Sequence, residues 1–200
     1  MNLKFLYLAS TLLLCCGYSV QNTIAVEPFF LKLSEAAIEQ TKHKVVYDGS
    51  YRQIKYPNGD VPDSIGVCTD VVIRAYRKLG IDLQKLVHED MTVAFAEYNK
   101  RRHSDRIDAN IDHRRTPNLE TFFTRKGARL PITSNPLDYQ TGDIVFWDIA
   151  QGHVGIVVNE LVMGTSRHYM VHNICCGVEK EDYLFEAKIV GHYRWNGKQN

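Results

Sequence analysis

The chain has 200 residues, a formal net charge of +1 and 44% hydrophobic residues, a length that suits one domain able to bury a core without staples. The near-neutral balance excludes a global field directed at nucleic acid or acidic partners. No internal repeat or low-complexity tract marks a solenoid or a disordered chain.

In chain order, residues 1–25 read as a signal peptide. Lys4 precedes an apolar run from Phe5 to Cys16, about the length of a signal core and too short to span a bilayer comfortably. Cleavage after Ser19 or after Ala25 fits the small residues there. A lipid anchor on Cys15 or Cys16 is disfavoured, because Leu14 or Cys15 stands where Gly, Ala or Ser usually precedes the modified cysteine. The expectation is a periplasmic or secreted protein, with no stable membrane insertion after processing, whose residues 26–200 form a single domain.

Pro28 to about His43 reads as a helix, with Phe29, Phe30, Leu33, Ala36, Ala37 and Ile38 as its apolar stripe. A turn-rich stretch follows, containing Pro57-Asn58-Gly59-Asp60 and Pro62-Asp63. Val67, Val71, Val72, Ala75, Tyr76 and Leu79 then recur at helical spacing, and Gly80 ends that helix. A further helix is predicted from Asp82 to about Asn99. Residues 100–117 are charged and irregular, and Asn118 is an expected N-cap for a short helix to Lys126. From Thr141 onward "GDIVFWDI", "GHVGIVVN", "RHYMVHNI" and "AKIVGHYRW" read as strands. Helices first and an antiparallel meander second predict an α+β domain, with N-terminal helices packed on a C-terminal antiparallel sheet.

Removal of the leader leaves Cys68, Cys175 and Cys176. An odd count leaves one thiol over, and a bridge between the adjacent pair would be strained, so no disulfide framework is expected and Cys68 is the candidate free thiol. Cys68 falls in the first turn of its helix. Unpaired N–H groups and the positive dipole end there stabilise a thiolate and can hold an oxyanion. The plain alternative is a small buried hydrophobe. Asp70 suits the dipole but opposes a thiolate if it points at the sulfur.

A nucleophilic cysteine needs a base held by a third polar group. Among eight histidines, His153 stands out at the head of an apolar strand between Gly152 and Gly155, which would allow close approach of another element. His172 interrupts the next strand and would orient the His153 ring if the two strands pair, with Asn173 beside it as the alternative. Each histidine has the alternative of a satisfied sheet residue.

The segments "YPNGDVPDSIGVCTDVVIRAYRKLGIDL", "GDIVFWDIAQGHVGIVV" and "YMVHN" resemble the NlpC-type, papain-like cysteine peptidases of bacterial cell walls. More closely, "GDVPDSIGVCTDVVIRAYRKLGIDLQKLVHEDM", "NIDHRRTPNL" and "GHYRW" resemble a bacterial envelope family catalogued as domain of unknown function 1287. The peptidase resemblance implies Cys68 as nucleophile, His153 as base, His172 as the orienting residue and Tyr56, twelve residues before Cys68, as an oxyanion contributor. It departs from that pattern where Asp70 replaces a glycine close to the nucleophile.

The insert carries Asn110, Asp112, His113, Arg114 and Arg115. Arginine binds carboxylates bidentately, so Asp112, His113, Arg114 and Arg115 are candidates for clamping the carboxylates of cell-wall stem peptides. The alternative is an Asp–Arg network that staples a long loop. His103, Asp105, Asp108, Asp112 and His113 could also be read as metal ligands, but they lack the helical His pair of a zinc site and the glycines of a calcium loop. No metal and no cofactor is expected. The resulting expectation is an exported thiol hydrolase acting on amide bonds of peptidoglycan or its peptide fragments. The alternative is a non-catalytic envelope binding module on the same fold.

Overall fold

The computed structural model describes residues 26–99 and 106–198. The expected signal peptide, His103 and Asp105 lie outside the described residues. Four α-helices precede the main sheet: α1 (Pro28–Gln40), α2 (Cys68–Lys78), α3 (Leu83–Asn99) and α4 (Thr116–Arg125). Two short strands, β1 (Val46–Tyr47) and β2 (Ile65–Gly66), pair in parallel just before α2. The main sheet contains β3 (Ile144–Trp147), β4 (His153–Leu161), β5 (His168–His172), β6 (Glu179–Glu181) and β7 (Ile189–Tyr193). Its order is β6-β5-β4-β3-β7 and every pairing is antiparallel. The fold is α+β, as the order of elements predicts.

Helices α1 and α2 pack on each other and on β4. Leu33, Val71, Val72 and Tyr76 meet Ile144, Phe146, Val154 and Ile156 in the larger core. Side chains alternate along a strand, so the other face of the sheet carries Val145, Trp147, Val157 and Met170, closed over by Tyr139 and Leu184. The aromatic Phe123 of α4 ties the helices to the sheet, touching Tyr76, Phe146, Tyr193 and Trp195. The fully buried Asp143 is held by Arg194, whose Nε donates at 2.7 Å, and by His192, whose Nε2 lies 2.7 Å away. These contacts explain the "GHYRW" segment as a clamp between the last strand and the head of β3.

Three differences from the sequence reading have physical reasons. The β6 strand is short, charged and at the sheet edge, so it has no apolar alternation to betray it. Helix α4 starts at Thr116, because Pro117 fits the first helical positions, where its missing N–H costs nothing. Asn118 is therefore inside the helix, and its Nδ2 donates to the Asp112 carbonyl at 2.9 Å. Cys175 and Cys176 are joined to each other, against the expectation of no bridge, in the exposed loop between β5 and β6. Cys68 remains the free cysteine among the described residues.

Candidate active site

Helix α2 begins at Cys68 itself. Asp70 Oδ2 accepts the Val67 N–H at 2.7 Å, satisfying one of the orphan donors of the helix start. The same carboxylate takes Arg114 in a fork, Nε to Oδ1 at 2.9 Å and Nη2 to Oδ2 at 2.8 Å. Both side chains are almost wholly buried. Asp70 is thus turned into the helix cap and the guanidinium, although its charge still adds to the rise of the Cys68 thiol pKa.

Cys68 is 3% exposed and lies at the edge of the helix-side core. Its Sγ is 3.8 Å from Thr116 Oγ1. Burial pushes the thiol pKa up, and the nearby Asp70 charge adds to this, while Thr116 and the backbone N–H groups of Val154 and Thr69 pull it back. The sulfur borders a cleft of about 750 Å³ that Tyr47, Tyr51, Arg115, Thr116 and Gln151 also line. Tyr47 faces the sulfur: its phenol pKa is raised first by burial and then by the neighbouring thiol. Gly152, at φ +91°, makes the close turn into β4, where a Cβ would stand 3.2 Å from Thr116.

The histidines gather one residue away from the Val154 N–H. His153 Nε2 lies 2.8 Å from His172 Nδ1. His172 Nε2 lies 2.9 Å from Glu181 Oε2, at ion-pair distance but outside hydrogen-bond alignment with the ring N–H. Both imidazoles pack against Trp147 and Tyr183. Burial, and then the nearby His172, push the His153 pKa down to about 3. Burial also lowers that of His172, with Glu181 acting against it. Gly155 is the register partner of His172, and a Cβ there would meet His172 Cβ at 3.1 Å and the Trp147 ring at 3.3 Å. The glycines flanking His153 therefore permit close approach, as the sequence suggests.

Val154 faces the helices, whereas the His153 ring packs on the Trp147 side. Thiol and imidazole thus reach the first residues of β4 from the two sides of the strand. They share no hydrogen bond, although the partners of both are among the described residues. The expected His153–His172 contact is present, and the expected Cys68–His153 contact is not. Asn173 makes no hydrogen bond to His153 among the described residues; its Nδ2 donates to the Gly66 carbonyl at 3.3 Å.

Two other expectations are corrected. Tyr56 does not approach the cysteine; its ring packs on His88 of α3, 4.9 Å between centroids, and the cleft tyrosines are Tyr47 and Tyr51. Spacing from Cys68 misplaced it because the loop from 48 to 64 carries Tyr56 away while the β1–β2 pairing brings Tyr47 in. Of the four clamp candidates, Asp112, His113 and Arg114 are buried and structural. Asp112 Oδ2 accepts the Asp108 N–H at 2.6 Å, and burial, aided by Arg114, lowers the His113 pKa to about 3. Arg115 alone of the four is exposed, and both it and the buried Arg114 line the cleft. Of the metal-ligand candidates, Asp108 and Asp112 are tied into loop hydrogen bonds, and the described residues contain no cluster of three metal-binding side chains. Glu181 was missed because one glutamate in "VEKED" carries no local signal; only strand pairing sets it beside His172.

Residues 34–195 match the family described as a domain of unknown function, DUF1287. The chain belongs to that family. The DUF1287 match takes in Cys68, both site histidines and Glu181. A relative, the uncharacterized protein YijF of Escherichia coli (strain K12), is 49% identical over 168 residues, which is 82% of this chain and 81% of that protein. No solved structure matches the chain.

Proposed function

We propose that this DUF1287 protein is an exported thiol hydrolase, related to the NlpC-type, papain-like peptidases, that cleaves amide bonds of peptidoglycan peptides. The observation that carries the reading is the meeting of two devices at the start of β4. There the Val154 N–H reaches the Cys68 sulfur, and the preceding residue is a histidine already held by a second histidine. His153 takes the thiol proton, and Cys68 attacks the amide carbonyl. N–H groups at the start of α2, with the Tyr47 hydroxyl, hold the oxyanion. His153 then protonates the leaving amine, and water releases the acyl group. The reading requires the Cys68–His153 hydrogen bond to form as substrate binds, since catalytic hydrogen bonds tighten in the substrate complex. Arg115 on the cleft rim supplies a guanidinium for a stem-peptide carboxylate. Cys68→Ala is expected to fold normally and to abolish release of peptides from purified cell-wall fragments. Undiminished release by that variant would sink the mechanism.

A second reading is a non-catalytic envelope binding module. It is favoured by the 3% exposure of Cys68, by the burial that pushes its thiol pKa up and by the missing bond to His153. The pH dependence of Cys68 alkylation separates the two. Reactivity that sets in well below the ordinary thiol pKa of about 8.5 supports catalysis, and onset at or above it supports binding.

A further inference from the structure

A neutral imidazole has one N–H and one lone pair, so two hydrogen-bonded rings can run in either direction. Here the direction has a fixed end. Glu181 Oε2 stands 2.9 Å from His172 Nε2, and an ionised carboxylate only accepts. The proton of His172 then sits on Nε2, and Nδ1 offers its lone pair. His153 must donate to it through its own Nε2, across 2.8 Å. That leaves the lone pair of His153 on Nδ1, which makes no hydrogen bond among the described residues. In the opposite direction His172 would donate from Nδ1, His153 would carry its proton on Nδ1, and that nitrogen could not take a proton.

We infer that Glu181 is a positioning residue: its carboxylate sets the direction of the His172–His153 pair and so leaves His153 Nδ1 as the basic nitrogen. The inference rests on the reading of His153 as the general base. The surroundings agree. His172 Nε2 is fully buried without an aligned hydrogen bond, and the Glu181 carboxylate stands 2.9 Å from it. Trp147 and Tyr183 wall the rings from water, which strengthens a carboxylate's influence on them. Of the other charged groups on β6 and beside it, Lys180 pairs with Glu160 and Asp182 with Arg167, while Glu179, the register partner of His172, is exposed. Tyr183 stays protonated, its pKa raised by burial and then by Glu181 and Glu186.

NMR of the histidine side chains in the isotope-labelled protein reads each tautomer directly and needs no turnover. The wild type is expected to show both rings protonated on Nε2. Glu181 is on an exposed edge strand, so Glu181→Ala is expected to fold, with circular dichroism as the check. In it the preference for Nε2–H on His172 should fall by roughly tenfold or more, the loss of the attraction of a carboxylate charge facing the ring N–H. His153 should follow. Glu181→Gln, which keeps an acceptor oxygen, should restore the wild-type pattern in part, and it also serves if the alanine variant does not fold. Wild-type signals in both variants, or Nδ1–H on His172 in the wild type, would overturn the inference. Tautomers set by Glu181 in a protein that releases no wall peptide would defeat the hydrolase reading and leave this one standing. Indifference to Glu181 in a protein that does release them would do the reverse.

Discussion

Asp70 shows how one residue can look like a defect in the sequence and be a support in the fold. Beside a nucleophile, a free carboxylate would hold the thiol protonated. Buried against Arg114 and the Val67 N–H, it instead caps α2 and anchors the insert to the helix that carries Cys68. Removing one member of such a buried pair strands the other charge, a loss of about 3–5 kcal/mol. Asp70→Ala is therefore expected to lower the unfolding free energy from urea titration by an amount of that order, and Asp70→Ala with Arg114→Met by less than Arg114 alone stranded in the core. A shift below about 1 kcal/mol in the single variant, the size of a surface ion pair, would show that the pair is not the anchor described.

Strand β4 is the element on which the site turns. Its alternation sends Val154, Ile156 and Val158 into the helix-side core and leaves His153, Gly155 and Val157 on the opposite face. Gly155 is required there, since even a Cβ would crowd the Val171 carbonyl at 3.0 Å and His172 at 3.1 Å. Gly155→Val should destabilise the protein by about 1–3 kcal/mol, as overpacking does. It should also push the His172 ring off His153, seen as changed histidine signals in NMR. An unaltered histidine pair in a folded Gly155→Val protein would mean that the glycine is not what admits His172.

At the scale of the whole molecule, the domain holds neutral histidines inside a packed core, and this makes its stability depend on acid. Burial pushes His113 and His153 down to about 3, from an unfolded value near 6.5. Between those values the unfolded chain binds more protons than the native one, so stability rises with pH. The contribution is complete above about pH 6.5 and is lost as the pH falls towards 3, reaching at most about 2 kcal/mol per histidine at pH 5. Urea midpoints measured from neutral pH down to pH 5 should fall steadily. A flat profile over that window would show that these rings are not buried neutral.

The sequence by itself determined the helices, the apolar strands, their order and hence the α+β class, because periodicity and turn residues are local consequences of burying one face. It also singled out Cys68 at a helix start and His153 at a strand start. Those signals are local too, a lone thiol in a first turn and a costly ring among apolar neighbours. Tertiary structure alone decided which groups meet. Strand pairing set His172 rather than Asn173 against His153 and brought in Glu181, the β1–β2 pairing chose Tyr47 over Tyr56, and the fold of the insert turned Asp112 and His113 inward, paired Arg114 with Asp70 in the cleft wall and left Arg115 exposed in the cleft. The physical reason is that side-chain type and spacing fix how a segment folds on itself. Which distant polar groups become partners is set by register and by the direction each side chain leaves its element, and no short stretch of the chain contains either.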